Sequence, residues 1–117
     1  MTDRDPACLF CRIASGEIPS ERVFEDDAVI AFRDVAPRAP THVLVIPRRH
    51  ITDAHGLTDD EAELLGRCFA ALRQVADAEG LANGYRIVAN VGADAGQTVP
   101  HLHFHLLGGR QLTWPPG

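Results

Sequence analysis

Residues 101–107 read His-Leu-His-Phe-His-Leu-Leu, a run in which histidines alternate with apolar residues. In an extended strand, successive side chains point to opposite faces of a sheet, so this pattern predicts three imidazoles on one face and a hydrophobic core on the other. At about 3.3 Å per residue, the outer two histidines are about 13 Å apart, which makes it awkward for all three rings to bind one ion. We therefore expect His101, His103 and His105 to have different roles.

Neutral imidazole can act as a nucleophile or general base near neutral pH, because its unperturbed pKa is about 6.5. Attack of a ring nitrogen on phosphorus would give a phosphoramidate that water later hydrolyses, so that two easier steps replace one difficult displacement. The glycine-rich segment 92–97 could surround the phosphate with backbone N–H groups, and Asn90, Gln97 and Thr98 could add further contacts. Alone, such a segment is more often a simple hairpin connection, but its position beside three histidines favours phosphate binding.

A Cys-x-x-Cys pair, Cys8 and Cys11, lies near the start of the chain. In a reducing compartment this spacing favours metal binding or redox chemistry over a disulfide framework. Two thiolates, His50 and one terminal histidine of the 101–105 run could form a closed tetrahedral zinc site, which would leave His103 free. The alternatives are two ordinary buried thiols, a thioredoxin-like redox pair or, for His50, a plain surface histidine. A zinc ion shared by His103 and His105 is a less favoured alternative.

Several other residues have both a structural and a functional interpretation. His42 begins an apolar strand, where a lone histidine is more often a hydrogen-bonded core residue, but it could orient the catalytic imidazoles if its strand pairs beside theirs. Phe10, Ile13 and Phe32 are core residues by default, although an apolar slot for a nucleobase could use them. Asp34 follows a strand end, where it could be a turn residue or could bind the two hydroxyls of a ribose.

The elements that position these residues follow from periodicity and turn signals. Short apolar or alternating runs predict four or five short strands, with candidates at residues 22–25, 28–32, 41–46, 85–90 and 101–107. A short helix is predicted over residues 8–15, and a long helix begins at the capping-box spacing of Thr58 and Glu61 and continues until Gly80. This long helix should lie across the sheet. The sum is an α+β fold with a mainly antiparallel sheet, one long helix and one short helix.

Length and composition narrow the class of protein. The chain has 117 residues, of which 45% are hydrophobic, so it can form one domain with a substantial core and without disulfides. No apolar run could span a bilayer, and the polar start lacks the features of a signal peptide, so we expect a cytoplasmic protein with no membrane partner. The net charge of −5 argues against nucleic acid as a partner, although local arginines could bind one small phosphate.

These motifs resemble those of the histidine triad (HIT) family, whose signature is His-φ-His-φ-His-φ-φ with φ apolar. Residues 101–107 match it at every position, and the resemblance covers nearly the whole chain. It includes the Cys-x-x-Cys pair and residues 16–19, 24–27, 40–42, 46–50, 108–111 and 114–117. The tail resembles that of the histidine triad nucleotide-binding (Hint-like) branch, which is similar to purine nucleoside phosphoramidases, rather than that of the dinucleoside polyphosphate hydrolases.

The resemblance implies a single HIT domain over residues 1–117, with about five strands whose sheet continues across a homodimer. Residues 108–117 would form an extended tail that reaches the partner. It also implies a purine nucleotidyl hydrolase in which His103 is the nucleophile and forms a covalent nucleotidyl-histidine. His105 would contact the phosphate and His42 would hold the network.

Further site residues follow from the same resemblance. It implies nucleotide or phosphate contacts by Leu9, Phe10, Ile13, Phe32, Asp34, Val35, Asn90, Gln97, Thr98 and Trp114. It implies one structural zinc ion per chain, bound by Cys8, Cys11, His50 and His101. Three other functions stay open: a nucleotide-binding regulator or adaptor with incidental hydrolysis, a dinucleoside polyphosphate hydrolase, and a metal-handling protein that uses exposed histidines.

Overall fold

The computed structural model describes residues 4–117, so the first part of the predicted polar start, residues 1–3, lies outside the described residues. The strands are β1 (Arg22–Glu25), β2 (Val29–Arg33), β3 (Thr41–Pro47), β4 (Tyr85–Val88) and β5 (Phe104–Gly108). They form one sheet in the order β1-β2-β3-β5-β4, in which every neighbouring pair is antiparallel. The α-helices are α1 (Leu9–Ala14) and α2 (Ala62–Ala78), and single 3-10 turns lie at Ala54–Gly56, Asp59–Glu61 and Ala93–Ala95.

The sheet has a helix on each face, because its central strands alternate buried side chains between two hydrophobic cores. On β3, Val43 and Val45 pack with α2, whereas Leu44 and Ile46 pack with α1. The strands β2 and β3 are almost entirely buried, as expected for the middle of a layered structure. The predicted α+β class and antiparallel five-stranded sheet are confirmed.

The long helix α2 starts slightly later than predicted. The Glu61 carboxylate accepts hydrogen bonds from the Thr58 backbone N–H at 2.8 Å and from the Thr58 hydroxyl at 2.9 Å, but a 3-10 turn follows before the α-helix begins at Ala62. Cys68 and Leu72 are fully buried in the predicted apolar stripe, whereas Phe69 is 45% exposed. Across residues 4–117, no helix has both the length and the apolar character that crossing a bilayer requires.

The short helix α1 depends on contacts from other elements. A six-residue helix is not stable by itself. At its start, the Cys8 sulfur accepts the backbone N–H of Cys11 at 3.4 Å. At its end, Arg22 and Arg48 donate to its last two carbonyl groups at 2.6 to 3.2 Å. The arginines therefore supply donors at the helix end, where the Ile13 carbonyl also accepts the backbone N–H of Gly16.

The prediction of one strand over residues 101–107 is wrong at its beginning, because β5 starts only at Phe104. The backbone N–H of His101 donates to the Val99 carbonyl at 2.9 Å, and that of Leu102 donates to the Ile51 carbonyl, so this part of the chain pairs outside the sheet. The regular alternation of side chains therefore does not extend to His101. Strand β4 is also shorter than predicted, since it ends at Val88.

An ion pair joins α2 to the sheet and gives a testable pH dependence. The Arg33 guanidinium donates to both carboxylate oxygens of Glu79, at 2.8 and 3.0 Å, and these hydrogen bonds hold the pKa of Glu79 below its ordinary value of 4.5. Because the folded pKa is lowered, the stabilisation is present above the unfolded pKa and is lost as the pH falls. We expect Glu79→Gln to lower the free energy of unfolding by about 1 kcal/mol at pH 7.

Urea unfolding at several pH values measures this effect, and the difference between Glu79→Gln and wild type should shrink as the pH falls from about 5 towards 3. Glu63→Gln, which changes an exposed carboxylate in the first turn of the same helix, is the matched control and should show little pH-dependent difference. A Glu79→Gln difference that stays constant over this pH range would contradict the assignment.

Candidate active site and metal site

His103 is oriented by a backbone atom. Its Nδ1 atom lies 2.7 Å from the His101 carbonyl oxygen, and the ring is buried. A carbonyl can only accept a hydrogen bond, so Nδ1 carries the proton and Nε2 keeps its lone pair in the neutral ring. The structure therefore presents Nε2 of His103 as an available nucleophile or base.

His42 and His105 form a hydrogen-bonded chain next to His103. Strand β3 pairs with β5, which places the His42 Nε2 atom 2.9 Å from the His105 Nδ1 atom. The backbone N–H of Arg38 donates to Nδ1 of His42 at 3.0 Å, so the neutral His42 ring carries its proton on Nε2 and donates it to His105. His105 is then left with a proton on Nε2. It can donate this proton to an oxygen atom beside His103.

Burial keeps both rings of this chain neutral. It lowers the pKa of His105 to about 4, with His103 and His42 acting in the same direction and Asp34 opposing them. Burial also lowers the pKa of His42, which Asp34 partly offsets. The Asp34 carboxylate lies 3.4 Å from Nε2 of His42, and its other oxygen accepts the Ala36 backbone N–H. At neutral pH these imidazoles therefore act as oriented hydrogen-bond donors and acceptors.

The lowered pKa can be measured directly. We expect the ring of His105 to titrate with a midpoint near pH 4 when no nucleotide is present, because desolvation disfavours its charged form. An NMR titration of the imidazole ring protons, assigned with a His105→Asn variant, would locate the midpoint. A midpoint near the ordinary value of 6.5 would contradict the described environment.

The side chain of Gln97, a predicted phosphate contact, holds the glycine-rich segment in place. Its amide oxygen accepts the backbone N–H of Gly92 at 2.9 Å. Its amide nitrogen donates to the carbonyl groups of Thr52 and Val99 at 2.9 and 3.0 Å. Gln97 therefore ties the segment to the chain that follows His50.

Asn90 has a similar role, since its amide nitrogen donates to the Ala95 carbonyl at 2.8 Å. Gly92 and Gly96 adopt φ values of 82° and 81°, in the left-handed region that favours glycine. The Thr98 side chain is exposed beside this segment. Spacing alone could not reveal the bracing role of the two amides, because it depends on which carbonyl groups the folded segment presents.

The predicted nucleoside residues divide into two groups. Phe10, Ile13 and Phe32 are buried in one cluster, and the Phe10 ring lies edge-on to the His103 ring at a centroid distance of 5.1 Å. Leu9 is more exposed, although it lies on the same helix. Of two further predicted residues, Val35 has a fully exposed side chain and Trp114 a largely exposed one. The folded chain therefore does not bury them against the histidines.

The four predicted zinc ligands lie together between α1 and the segment before β5. The His101 Nδ1 atom is 3.3 Å from the Cys8 sulfur and 3.6 Å from the Cys11 sulfur, and the His50 Nδ1 atom is 3.4 Å from the Cys11 sulfur. All four candidate ligand atoms lie within 4.8 Å of one another. His101 is fully buried, and its Nε2–H donates to the Pro47 carbonyl at 2.8 Å, which leaves Nδ1 available for a metal.

These residues fit a zinc ion. Tetrahedral zinc, with Zn–S of about 2.3 Å and Zn–N of about 2.0 Å, would separate sulfur from nitrogen by about 3.5 Å, close to the described distances. Backbone N–H groups of Asp5 and Cys11 already donate to the two sulfur atoms at 3.4 Å. Burial lowers the pKa of His101 to about 4 and raises that of the Cys11 thiol. A bound cation would favour the thiolate, and the neutral imidazole is the form that binds metal.

A second cluster, formed by Asp34, His42 and His105, also brings three potential ligand atoms within 4.8 Å of one another. Metal binding there would need the lone pair on Nε2 of His42. The Arg38 N–H already uses the lone pair on Nδ1, so Nε2 carries the proton. This cluster therefore fits a hydrogen-bonded chain better than a metal site.

Comparisons with known proteins identify the family of this chain. Residues 15–112 match the family model of the HIT domain. The adenylylsulfatase HINT1 of Arabidopsis thaliana is 48% identical over 118 residues, which cover 99% of this chain and 80% of that protein. A HIT family hydrolase from Legionella pneumophila superposes with a TM-score of 0.92 at 55% identity, covering 94% of this chain and 99% of the other.

A histidine triad nucleotide-binding protein from Candida albicans superposes with a TM-score of 0.80 at 32% identity, covering 95% of this chain and 85% of the other. The similarity thus extends from the Cys-x-x-Cys helix to the tail. It includes the region of the three histidines, which carries the signature predicted from the sequence. The chain therefore belongs to the histidine triad family, in its nucleotide-binding, Hint-like branch.

Proposed function

We propose that this protein is a hydrolase that cleaves purine nucleoside monophosphates carrying an amidate or related leaving group. The observation that carries the proposal is the orientation of His103, whose Nδ1–H is bound to a carbonyl while Nε2 keeps its lone pair. The ring of His105 lies next to it, at a centroid distance of 5.1 Å, with a proton available on Nε2. Group transfer through a covalent intermediate needs a nucleophile and a neighbouring hydrogen-bond donor, and these two rings supply both.

The proposed reaction has two steps. Nε2 of His103 attacks the α-phosphorus, and the new N–P bond forms as the bond to the leaving group breaks. The amine takes a proton from water as it departs, while Nε2–H of His105 donates a hydrogen bond to a phosphate oxygen. The hydroxide so formed, or water that loses a proton to solvent, then attacks the phosphorus of the nucleotidyl-histidine. The N–P bond breaks, and the nucleoside monophosphate and neutral His103 are released. The positive charge of the phosphorylated ring is stabilised by the His101 carbonyl, which accepts from Nδ1–H in both steps.

The remaining substrate contacts follow from the placement of the other residues. The cluster of Phe10, Ile13 and Phe32 would receive the purine. The exposed side chains of Leu9 and Val35 would add contacts, and Asp34 would bind the ribose hydroxyls. The phosphate would lie between the histidines and the segment braced by Asn90 and Gln97, where Thr98 offers a hydroxyl. His42 would keep His105 in the donor tautomer.

The relatives support the reaction class and widen the choice of leaving group. The Legionella pneumophila relative is described as a hydrolase and the Arabidopsis thaliana relative as an adenylylsulfatase, which implies sulfate as a leaving group for the latter. For this chain we propose an amine as the preferred leaving group and sulfate as the nearest competitor. The resemblance of the tail to that of nucleoside phosphoramidases favours the amine.

We also propose one structural zinc ion per chain on Cys8, Cys11, His50 and His101, where it would crosslink α1 to the segment before β5. Thiolate ligands suit a reducing compartment, which supports a cytoplasmic location. A homodimer would cover the edge strand β4, where Tyr85 is exposed, and would bring the tail residue Trp114 to the partner's site.

A substrate panel tests this function. We expect kcat/KM to be highest for an adenosine phosphoramidate, followed by adenylyl sulfate and acyl adenylates, and lowest for dinucleoside polyphosphates. Rapid quenching during turnover, followed by peptide mass spectrometry, should find the nucleotidyl group on His103. Product formation without an adduct on His103 would disprove the covalent route, and tight nucleotide binding with negligible turnover of the whole panel would favour an adaptor.

A further inference from the structure

Phe10 lies between the two cysteines of the metal site and contacts the nucleophile directly. Its ring lies edge-on to His103 at a centroid distance of 5.1 Å and an interplanar angle of 90°. The centroid of the same ring lies 6.0 Å from that of His101 and 5.6 Å from that of Phe32, again edge-on. We propose that Phe10 is a positioning residue that couples metal occupancy at Cys8 and Cys11 to the orientation of His103 and so to nucleotide binding. The inference rests on the nucleotide and metal sites proposed above.

The length of α1 makes this coupling direct. The helix has six residues, so a shift at its start moves the whole element. Its end is held by Arg22 and Arg48, whereas its start is held by the sulfur contacts of Cys8 and Cys11 with His101 and His50. A metal bound to these four residues would fix the start of α1, and with it the edge of Phe10 against His103.

His101 provides a second connection between the two sites. Its ring faces the cysteines through Nδ1, while its backbone carbonyl accepts the proton of Nδ1 of His103 at 2.7 Å. One buried residue therefore contributes a metal ligand and also the acceptor that sets the tautomer of the nucleophile. When a metal holds the ring, the peptide that orients His103 is held as well.

A third connection runs from His50 to the glycine-rich segment. The chain after His50 pairs with the chain before β5, since the Leu102 backbone N–H donates to the Ile51 carbonyl. The next carbonyl, that of Thr52, accepts from Gln97, whose amide oxygen in turn accepts the N–H of Gly92. The metal site is thus connected to the nucleophile and to the proposed phosphate-binding segment by contacts between neighbouring residues.

When two binding sites are coupled, each ligand must raise the affinity for the other by the same factor. We therefore expect zinc-loaded protein to bind AMP at least about fivefold more tightly than protein stripped by a chelator, which is the lower end of typical coupling factors. AMP should raise the affinity for zinc by the same factor, measured by competition with a chelating indicator. The two measurements close a thermodynamic cycle and neither depends on turnover.

The Phe10→Leu variant separates coupling from direct contact. If Phe10 only touches the base, the variant weakens AMP binding equally in loaded and stripped protein, and the coupling factor stays at the wild-type value. If Phe10 carries most of the coupling, ahead of the connections through His101 and His50, the factor falls to within about twofold of one. Phe69→Leu is the matched control, because Phe69 makes a similar edge contact with Phe104 on the opposite face of the sheet, and this variant should keep the wild-type factor.

A second measurement avoids the stripped state. In Co²⁺-substituted wild-type protein, AMP should shift the visible absorption bands of the metal, and this shift should be lost in Phe10→Leu but kept in Phe69→Leu. A coupling factor of one in wild type would overturn the proposal while leaving the proposed hydrolase intact. A factor that stays at the wild-type value in Phe10→Leu would also overturn it, because the coupling would then run without Phe10, through the contacts of His101 and of the chain after His50. Absence of AMP binding in either state would instead refute the proposed function.

Discussion

Replacing His103 with alanine is expected to lower kcat towards an adenosine phosphoramidate by at least about 10⁴-fold. The variant lacks the only atom that the proposed route joins to phosphorus, and water would have to attack the substrate directly. The side chains that hold the phosphate and the nucleoside remain, so the affinity for AMP should change far less than kcat. Steady-state kinetics and calorimetric AMP binding on the same preparation measure both quantities.

His55→Ala is the matched control for this experiment, since it removes an exposed imidazole in a 3-10 turn. It should leave kcat and AMP binding at wild-type values. The proposed mechanism also distinguishes His103 from its neighbours. His105→Ala should retain measurable turnover, because it removes a donor and leaves the nucleophile. Turnover by His103→Ala within about tenfold of wild type would show that this ring is not covalently involved.

The second large effect concerns the metal site. Cys11→Ser is expected to reduce zinc content from one equivalent per chain to near zero, because it removes one of two thiolates and leaves three weaker ligands. A ligand that binds only the folded chain stabilises it by about 4 kcal/mol when its free concentration is a thousandfold above Kd. We therefore expect a loss of this order in the free energy of unfolding in zinc-containing buffer, measured by urea denaturation and elemental analysis.

Cys68→Ala supplies the control for a lost thiol. Cys68 is fully buried between α2 and the sheet, and burial raises the pKa of its thiol to about 12, so it should not bind metal. This variant should keep one zinc per chain, with a stability loss that does not depend on zinc concentration. Wild-type protein that is purified in the presence of zinc and contains none would contradict the metal proposal. More than one equivalent, with His103 as a ligand, would favour a metal-handling protein.

Short-range patterns were enough to predict most elements of this fold. The hairpin of β1 and β2, the buried strand β3 and the apolar stripe of α2 were all visible in the sequence, because each depends on the alternation or periodicity of its own residues. The grouping of Cys8, Cys11, His50 and His101 was also anticipated, and the described residues do lie together. What binds there is a separate question, which the experiment on Cys11 addresses.

The features that sequence reasoning missed depend on distant parts of the chain. The start of β5 could not be located, because the hydrogen bond from Leu102 goes to Ile51 and not to another strand. The contacts by which Gln97 braces the glycine-rich segment were not foreseen, since nothing in its spacing shows that Thr52 lies within reach, whereas its contact with the phosphate stays a prediction. The side chain of Arg48, which joins the end of α1 to the β1–β2 turn, gave no local signal beyond its charge.

Backbone groups fix the position of the ring proton in two histidines, His42 and His103. The Arg38 N–H sets the proton of His42, and the His101 carbonyl sets the proton of His103. Side-chain replacement at position 38 therefore leaves the proton arrangement intact, whereas proline there deletes the donor. Evolutionary drift at position 38 can thus hide its importance for proton placement, because a main-chain atom is inherited with every amino acid that preserves the local path.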